Sequence, residues 1–135
     1  VISVCVVTRT LVPPDPQPSS CPPSSPMPPV DMEHAWYKFY SFVQPESLAP
    51  GWSRDRIMAE VNAAGVPCYS GSCSEVYLEK AFDGTGWRPA ERLAVAKELG
   101  ETSLMFLVHP TLTDEEIGKT CKVVAEVMGR AMEIA

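Results

Sequence analysis

The sequence predicts an α/β fold: a small two-layer sandwich in which helices cover a sheet of few strands, preceded by an irregular tail. Three observations predict it. Strand-like and helix-like segments alternate from residue 34 onward, in the order strand, helix, strand, loop, helix, strand, helix. Each helical segment carries an apolar stripe along one side, which needs a sheet or another helix to cover it. Nine of the 14 prolines lie between Pro13 and Pro29. Proline lacks an amide hydrogen and fixes φ, so that stretch joins neither a helix nor a central strand.

The 135 residues therefore divide into a Pro/Ser-rich irregular tail, 1–31, and one domain, 32–135. Roughly 100 residues suffice for one modest core. The domain opens on an aromatic and β-branched run from His34 to Val43. Trp36, Lys38, Tyr40 and Phe42 share one face of that strand; Ala35, Tyr37, Phe39, Ser41 and Val43 share the other. Both faces are largely apolar, which predicts a central strand, with Lys38 the misfit.

Ser53 is a good N-cap for a helix whose first turn holds Asp55. Ile57, Met58, Val61 and Ala64 form its stripe, and Gly65 suits the left-handed position after its end. Val66–Tyr69 reads as a short strand that Pro67 pushes toward an edge or a strand start. Asp83-Gly84-Thr85-Gly86 is turn chemistry. Pro89 fits the first position of a second helix, with Leu93, Val95, Ala96 and Leu99 on its buried side and Gly100 at its end. Ser103–Val108 is short and apolar enough for a buried strand, which His109-Pro110 terminates. Thr113 and Glu116 form a capping box, after which Ile117, Cys121, Val124, Met128 and Ala131 trace one stripe over four turns.

The net charge of −6 argues against a nucleic-acid surface, which would want a clustered basic face. No apolar run approaches the ~18 residues of a membrane span. Val1–Val7 is apolar but short, without the basic start of a secretory signal. Five cysteines at irregular spacing predict reduced thiols in the cytoplasm rather than a disulfide framework. Cys68 and Cys73 are spaced to permit a zinc pair, but no second Cys/His pair at ligand spacing follows, so small structural thiols are the expectation. His109 ends a strand and shapes a helix entry; acid–base work is the alternative.

The stretch with the strongest functional character is Cys68 to Phe82. Small residues there let backbone approach a ligand, and hydroxyls supply hydrogen-bond groups. Ser70, Ser72 and Glu75 are candidate hydrogen-bonding contacts, and Tyr69 or Tyr77 a stacking face. The bland reading is a solvated connection. Lys38 either points to a substrate or cofactor phosphate or snorkels at a sheet edge. No catalytic residue and no metal ligand is assigned.

Three pieces of the chain, in order, carry a family likeness: the aromatic strand from His34, the helix ending Asn62-Ala63-Ala64-Gly65-Val66-Pro67, and Ser103 to Glu116 with its His109-Pro110-Thr111-Leu112-Thr113 entry. From His34 onward the chain resembles the C-terminal small domain of the DegT/DnrJ/StrS family. Its members are pyridoxal-phosphate-dependent sugar aminotransferases of the aspartate-aminotransferase fold. Many carry a His-Tyr-Pro motif where this chain has Tyr69-Ser70-Gly71-Ser72-Cys73-Ser74-Glu75, so it resembles a subgroup.

The resemblance implies transfer of an amino group from an amino-acid donor to a nucleotide-linked keto-sugar, as in polysaccharide biosynthesis. It places the Schiff-base lysine, the acid on the pyridine nitrogen and most phosphate contacts in a large N-terminal domain absent from this sequence. The small domain closes one side of the site and helps hold the nucleotide-sugar. No cofactor is expected on this chain alone. Full-length relatives are usually homodimers. The alternatives are a stand-alone, non-catalytic binding module and a truncated, non-functional gene product.

Overall fold

The computed structural model describes residues 29, 31, 32 and 35–132. Nearly all of the expected tail, and His34, lie outside the described residues. The fold is built around strand β3, Ser103–Leu107, which pairs antiparallel with β1, Lys38–Phe42, on one side and with β2, Cys68–Tyr69, on the other. The helices are α1, Arg54–Ala63; α2, Ala94–Thr102; and α3, Asp114–Ala131. Their order along the chain is the expected one.

Register divides the sheet into two faces. Phe39 pairs with Phe106, which pairs with Cys68, and Ser41 pairs with Leu104. Side chains opposite one another share a face. This face meets the helices: Leu104, Cys68 and Val43 join Ile57 and Val61 of α1 and Val124, Val127, Met128 and Ala131 of α3 in one buried cluster. The other face carries Lys38, Tyr40 and Phe42 beside Ser103, Met105 and Leu107, with Tyr69 at its far edge.

The local signals for α1 and α3 act as the sequence predicts. The Ser53 hydroxyl accepts from the Arg56 amide at 3.2 Å, satisfying a donor at the start of α1. Gly65 sits at φ +76° just past its end, a conformation that a side chain disfavours. At α3 the Thr113 hydroxyl accepts from the Glu116 amide, and the Glu116 carboxylate accepts from the Thr113 amide at 2.8 Å. The Asn62 side chain then joins α1 to β2, donating to the Cys68 carbonyl at 2.7 Å and accepting from its amide at 3.2 Å. It occupies the hydrogen-bonding edge that β2 would otherwise leave open.

Three expectations fail. The aromatic strand is an edge, not the centre; the central position belongs to β3. Its two apolar faces arise because the helices cover one and a loop crosses the other, which composition cannot distinguish from burial between strands. The second helix starts at Ala94, not Pro89, and runs through Gly100 to Thr102. Residues 87–93 are irregular. Finally, the stripe on α2 is not buried. Leu93, Val95 and Leu99 are exposed, and the one buried residue of the helix is Thr102. Periodicity identifies an apolar face; it does not supply the surface that covers it.

The seat of α3 on the sheet yields a test. Val124→Asp would place an unpaired carboxylate in the cluster at a cost of several kcal/mol. The variant should lose its cooperative thermal transition by circular dichroism, and a soluble variant melting like the parent would refute this packing.

Candidate functional site

The candidate site lies on the sheet face turned away from α1 and α3. Tyr40, Met105 and Tyr69 form one row across it, with Lys38 one step along β1. After β2 the chain turns back over this row. Gly71 makes the turn at φ +90°, and a methyl group added there would lie 2.6 Å from Tyr40 Cε1. Glycine is thus required twice, by backbone conformation and by the approach of the ring.

Two polar clusters hold the loop. In the first, the Tyr40 hydroxyl accepts from the Ser72 amide at 3.2 Å and lies 3.0 Å from the Ser72 hydroxyl. The bonds from Ser72 lower the Tyr40 pKa from its usual 10.0. Beneath them the buried Ser103 hydroxyl donates to the Ser70 carbonyl at 2.6 Å. In the second cluster Arg92 grips Glu75 with two bonds of 2.6 and 2.5 Å, and the Tyr77 hydroxyl donates to the same carboxylate at 2.7 Å. The Tyr77 hydroxyl also accepts from the Leu93 amide at 3.0 Å, just ahead of α2. The Arg92 bonds, and then Tyr77, hold the Glu75 carboxyl down at about 2. Burial, and then the Glu75 bond, raises the Tyr77 hydroxyl. Arg88 closes the loop by donating to the carbonyls of Tyr77, Leu78 and Glu79 while pairing with Asp83.

The structure brings the sequence candidates into two groups. Lys38, Tyr69, Ser70 and Ser72 gather around the sheet face. Tyr69 is 48% exposed. The Lys38 ammonium lies 5.4 Å from the centre of the Tyr37 ring. Glu75 and Tyr77 belong to the second cluster and are occupied with one another and with Arg92. Three residues that organise the site escape sequence reading: Tyr40, Arg88 and Arg92. Tyr40 meets a residue 32 positions away and Arg92 one 17 away, so no spacing rule announces either pair.

Three of the five lysines are engaged in contacts unlike those of a pyridoxal phosphate site. Such a site needs a lysine in a pocket, an acid for the ring nitrogen and a phosphate cup. Lys97 pairs with Glu101 at 3.9 Å, and Lys119 donates to the Gly65 carbonyl at 3.0 Å. Lys38 lies beside the Tyr37 ring, and the Glu75 carboxylate is already held by Arg92. Among the described residues, no cluster of three or more His, Cys, Asp or Glu side chains could hold a metal ion. Cys68 packs in the core, where burial pushes its thiol up to about 11 and away from reactivity.

No family model matches the chain, and no curated protein matches it significantly. Solved structures do. The aminotransferase from Psychrobacter cryohalolentis is 62% identical over a match covering 73% of this chain, with a TM-score of 0.71. A DegT DnrJ EryC1 StrS aminotransferase from Brucella abortus matches over 79% of this chain with a TM-score of 0.62. At 21% identity, that second likeness is one of fold. The chain spans only 25% and 26% of their respective lengths.

The loop network makes two predictions. Tyr40→Phe removes both bonds to Ser72 and should lower stability by about 1 kcal/mol. Amides around Ser72 should then exchange faster, as read by hydrogen-exchange NMR, while those of α3 keep their relative protection. The second concerns acid. The Glu75 pKa falls on folding from an ordinary 4.5 to about 2. Its contribution to stability is therefore complete above about pH 4.5 and is lost as pH falls toward about 2. Carboxyl carbon shifts should show Glu75 ionised at pH 3.5, whereas Arg92→Ala should return its midpoint toward 4.5.

Proposed function

We propose, for a chain that carries the small domain of a DegT/DnrJ/StrS-type aminotransferase, that the sheet face of Lys38, Tyr40 and Tyr69 and the loop pinned to it form one wall of the substrate site. The reaction is transfer of an amino group from an amino-acid donor to a nucleotide-linked keto-sugar. Pyridoxal phosphate supplies the carrier chemistry in that enzyme class. No step of it falls to the residues described here, which bind and orient the acceptor. The working enzyme is a cytoplasmic homodimer in this reading. No described helix is long and apolar enough to cross a membrane.

One observation carries the proposal. A cation, an exposed aromatic ring and a hydroxyl-rich turn share one rigid face, on a chain 62% identical to a solved aminotransferase over the matched region. Each group has a place in binding a nucleotide-sugar. The Tyr69 ring offers a stacking surface, and Lys38 offers positive charge to a diphosphate. Ser70 offers its hydroxyl to the sugar, and Ser72 the hydrogen-bonding capacity that its contact with Tyr40 leaves over. Glu75 and Tyr77 act through shape: by holding Arg92 and the Leu93 amide they keep the loop in register with α2. Tyr40 is a positioning residue, since its hydroxyl is spent on Ser72.

The test uses a chimera in which this chain's residues 35–132 replace the matching quarter of the Psychrobacter cryohalolentis aminotransferase. Tyr69→Ala and Lys38→Ala should each raise KM for the nucleotide-linked keto-sugar about tenfold, the loss expected from one good contact of about 1.4 kcal/mol. KM for the amino donor should not change. Sugar KM values unchanged in both variants would refute the assignment. The 135-residue chain mixed with pyridoxal phosphate alone should give no complex that survives gel filtration.

A further inference from the structure

Ser103 is a buried serine, 6% exposed, standing where α2 passes directly into β3. Its amide donates to the Leu99 carbonyl in the last turn of α2. Its carbonyl accepts from Arg54 Nη1 at 2.9 Å, and the Arg54 side chain is itself only 14% exposed and paired with Asp55. Both backbone groups are thus committed, one to each of two helices. The hydroxyl reaches across 33 residues of sequence and donates to the Ser70 carbonyl. That bond falls where the loop has least restraint of its own. Tyr69 is held to Met105 by the β2–β3 ladder, and the Ser72 amide is held by Tyr40. Between them lies the peptide joining Ser70 to Gly71. Turning that peptide over carries φ of Gly71 from +90° into the negative range, and glycine occupies both at little cost. The glycine that lets the loop approach Tyr40 therefore also leaves this peptide two orientations. A hydrogen bond to the Ser70 carbonyl selects one of them.

We infer that Ser103 is a positioning residue of the acceptor wall: by fixing the Ser70–Gly71 peptide it fixes the direction in which Ser70 presents its hydroxyl to a nucleotide-linked keto-sugar. Ser103 touches no substrate in this assignment and acts through Ser70. Arg54 holds Ser103 in turn, so the seat of the loop is anchored to the start of α1. The identity of the substrate rests on the functional reading above; the seating of the loop on Ser103 does not. Thr102 supplies the contrast. It is the neighbouring buried hydroxyl, but it donates to the Glu98 carbonyl within its own helix. Losing that bond loosens α2 and leaves the Ser70 carbonyl held.

The experiment places Ser103→Ala, Ser103→Cys, Ser103→Thr and Thr102→Val in the chimera described above. Ser103→Ala should raise KM for the nucleotide-linked keto-sugar about fivefold, the loss expected from one intramolecular hydrogen bond. Ser103→Cys, close in size but a weak donor, should follow alanine. Ser103→Thr keeps the hydroxyl and should stay within about twofold of the parent. In all of them kcat and the KM for the amino donor should hold within about twofold, because no group at the reacting atoms has changed. Thr102→Val should lower the melting temperature without moving the sugar KM. In the 135-residue chain, Ser103→Ala should broaden the Ser70 and Gly71 amide signals by exchange between two peptide orientations, while Tyr69, paired to β3, stays sharp. A sugar KM unmoved by Ser103→Ala while Lys38→Ala and Tyr69→Ala raise it overturns this inference alone. A threonine variant no better than alanine, a matching rise in donor KM, or an equal rise in Thr102→Val also overturns it, since each traces the effect to general stability. Sugar KM unmoved by Lys38→Ala and Tyr69→Ala refutes the functional reading instead; the loop amides of the lone chain then decide whether Ser103 seats the loop, and sharp signals in Ser103→Ala show that it does not.

Discussion

The structure depends on the burial of β3 between two antiparallel partners. Five residues, Ser103–Leu107, accept β1 on one edge and β2 on the other. Their alternation sets the character of both faces: Leu104 and Phe106 turn toward the helices, while Ser103, Met105 and Leu107 turn toward the loop. A two-residue strand such as β2 has little stability of its own. It persists because its backbone is gripped on one side by β3 and on the other by the Asn62 amide. The helices reinforce the same arrangement. Arg54 at the start of α1 donates to the Ser103 carbonyl at 2.9 Å, and the Ala49 amide donates to the Ala131 carbonyl at the end of α3.

The sheet's two faces then do different things. One is filled by aliphatic side chains and closed by the two longer helices. The other is held by directional contacts, a tyrosine hydroxyl against a serine and a buried serine against a carbonyl. Aliphatic packing fixes volume, and hydrogen bonds fix position. In the proposed site, where Tyr69 and Lys38 meet the substrate, the second kind of restraint would keep their geometry defined. At Gly100 the same logic recurs: the Ser74 side chain sits where a Cβ would be, so the loop packs directly on the backbone of α2.

The second helix shows how a locally sound segment can stay energetically incomplete. Its backbone is helical and its apolar positions recur at helical spacing, yet those positions remain in water. The polar network of Arg92, Glu75, Tyr77 and Arg88 holds the segment in place without covering it.

The sequence by itself determined whatever depends on near neighbours. The Ser53 cap, the Thr113–Glu116 box, the Gly65 turn, the stripe of α3, the order of elements and the alternating faces of the first strand all follow from residues within one or two turns of each other. The family likeness from His34 onward was legible in the same way, as an ordered set of short motifs. The candidate loop was legible as composition, but its architecture was not. That Tyr40 pins Ser72, that Arg92 holds Glu75, that the aromatic strand is an edge and that the α2 stripe is uncovered are facts about pairs far apart in the chain. Tertiary structure decided them, because a side chain's period reveals which way it faces, whereas its partner is set only when distant segments are brought together by the burial of β3.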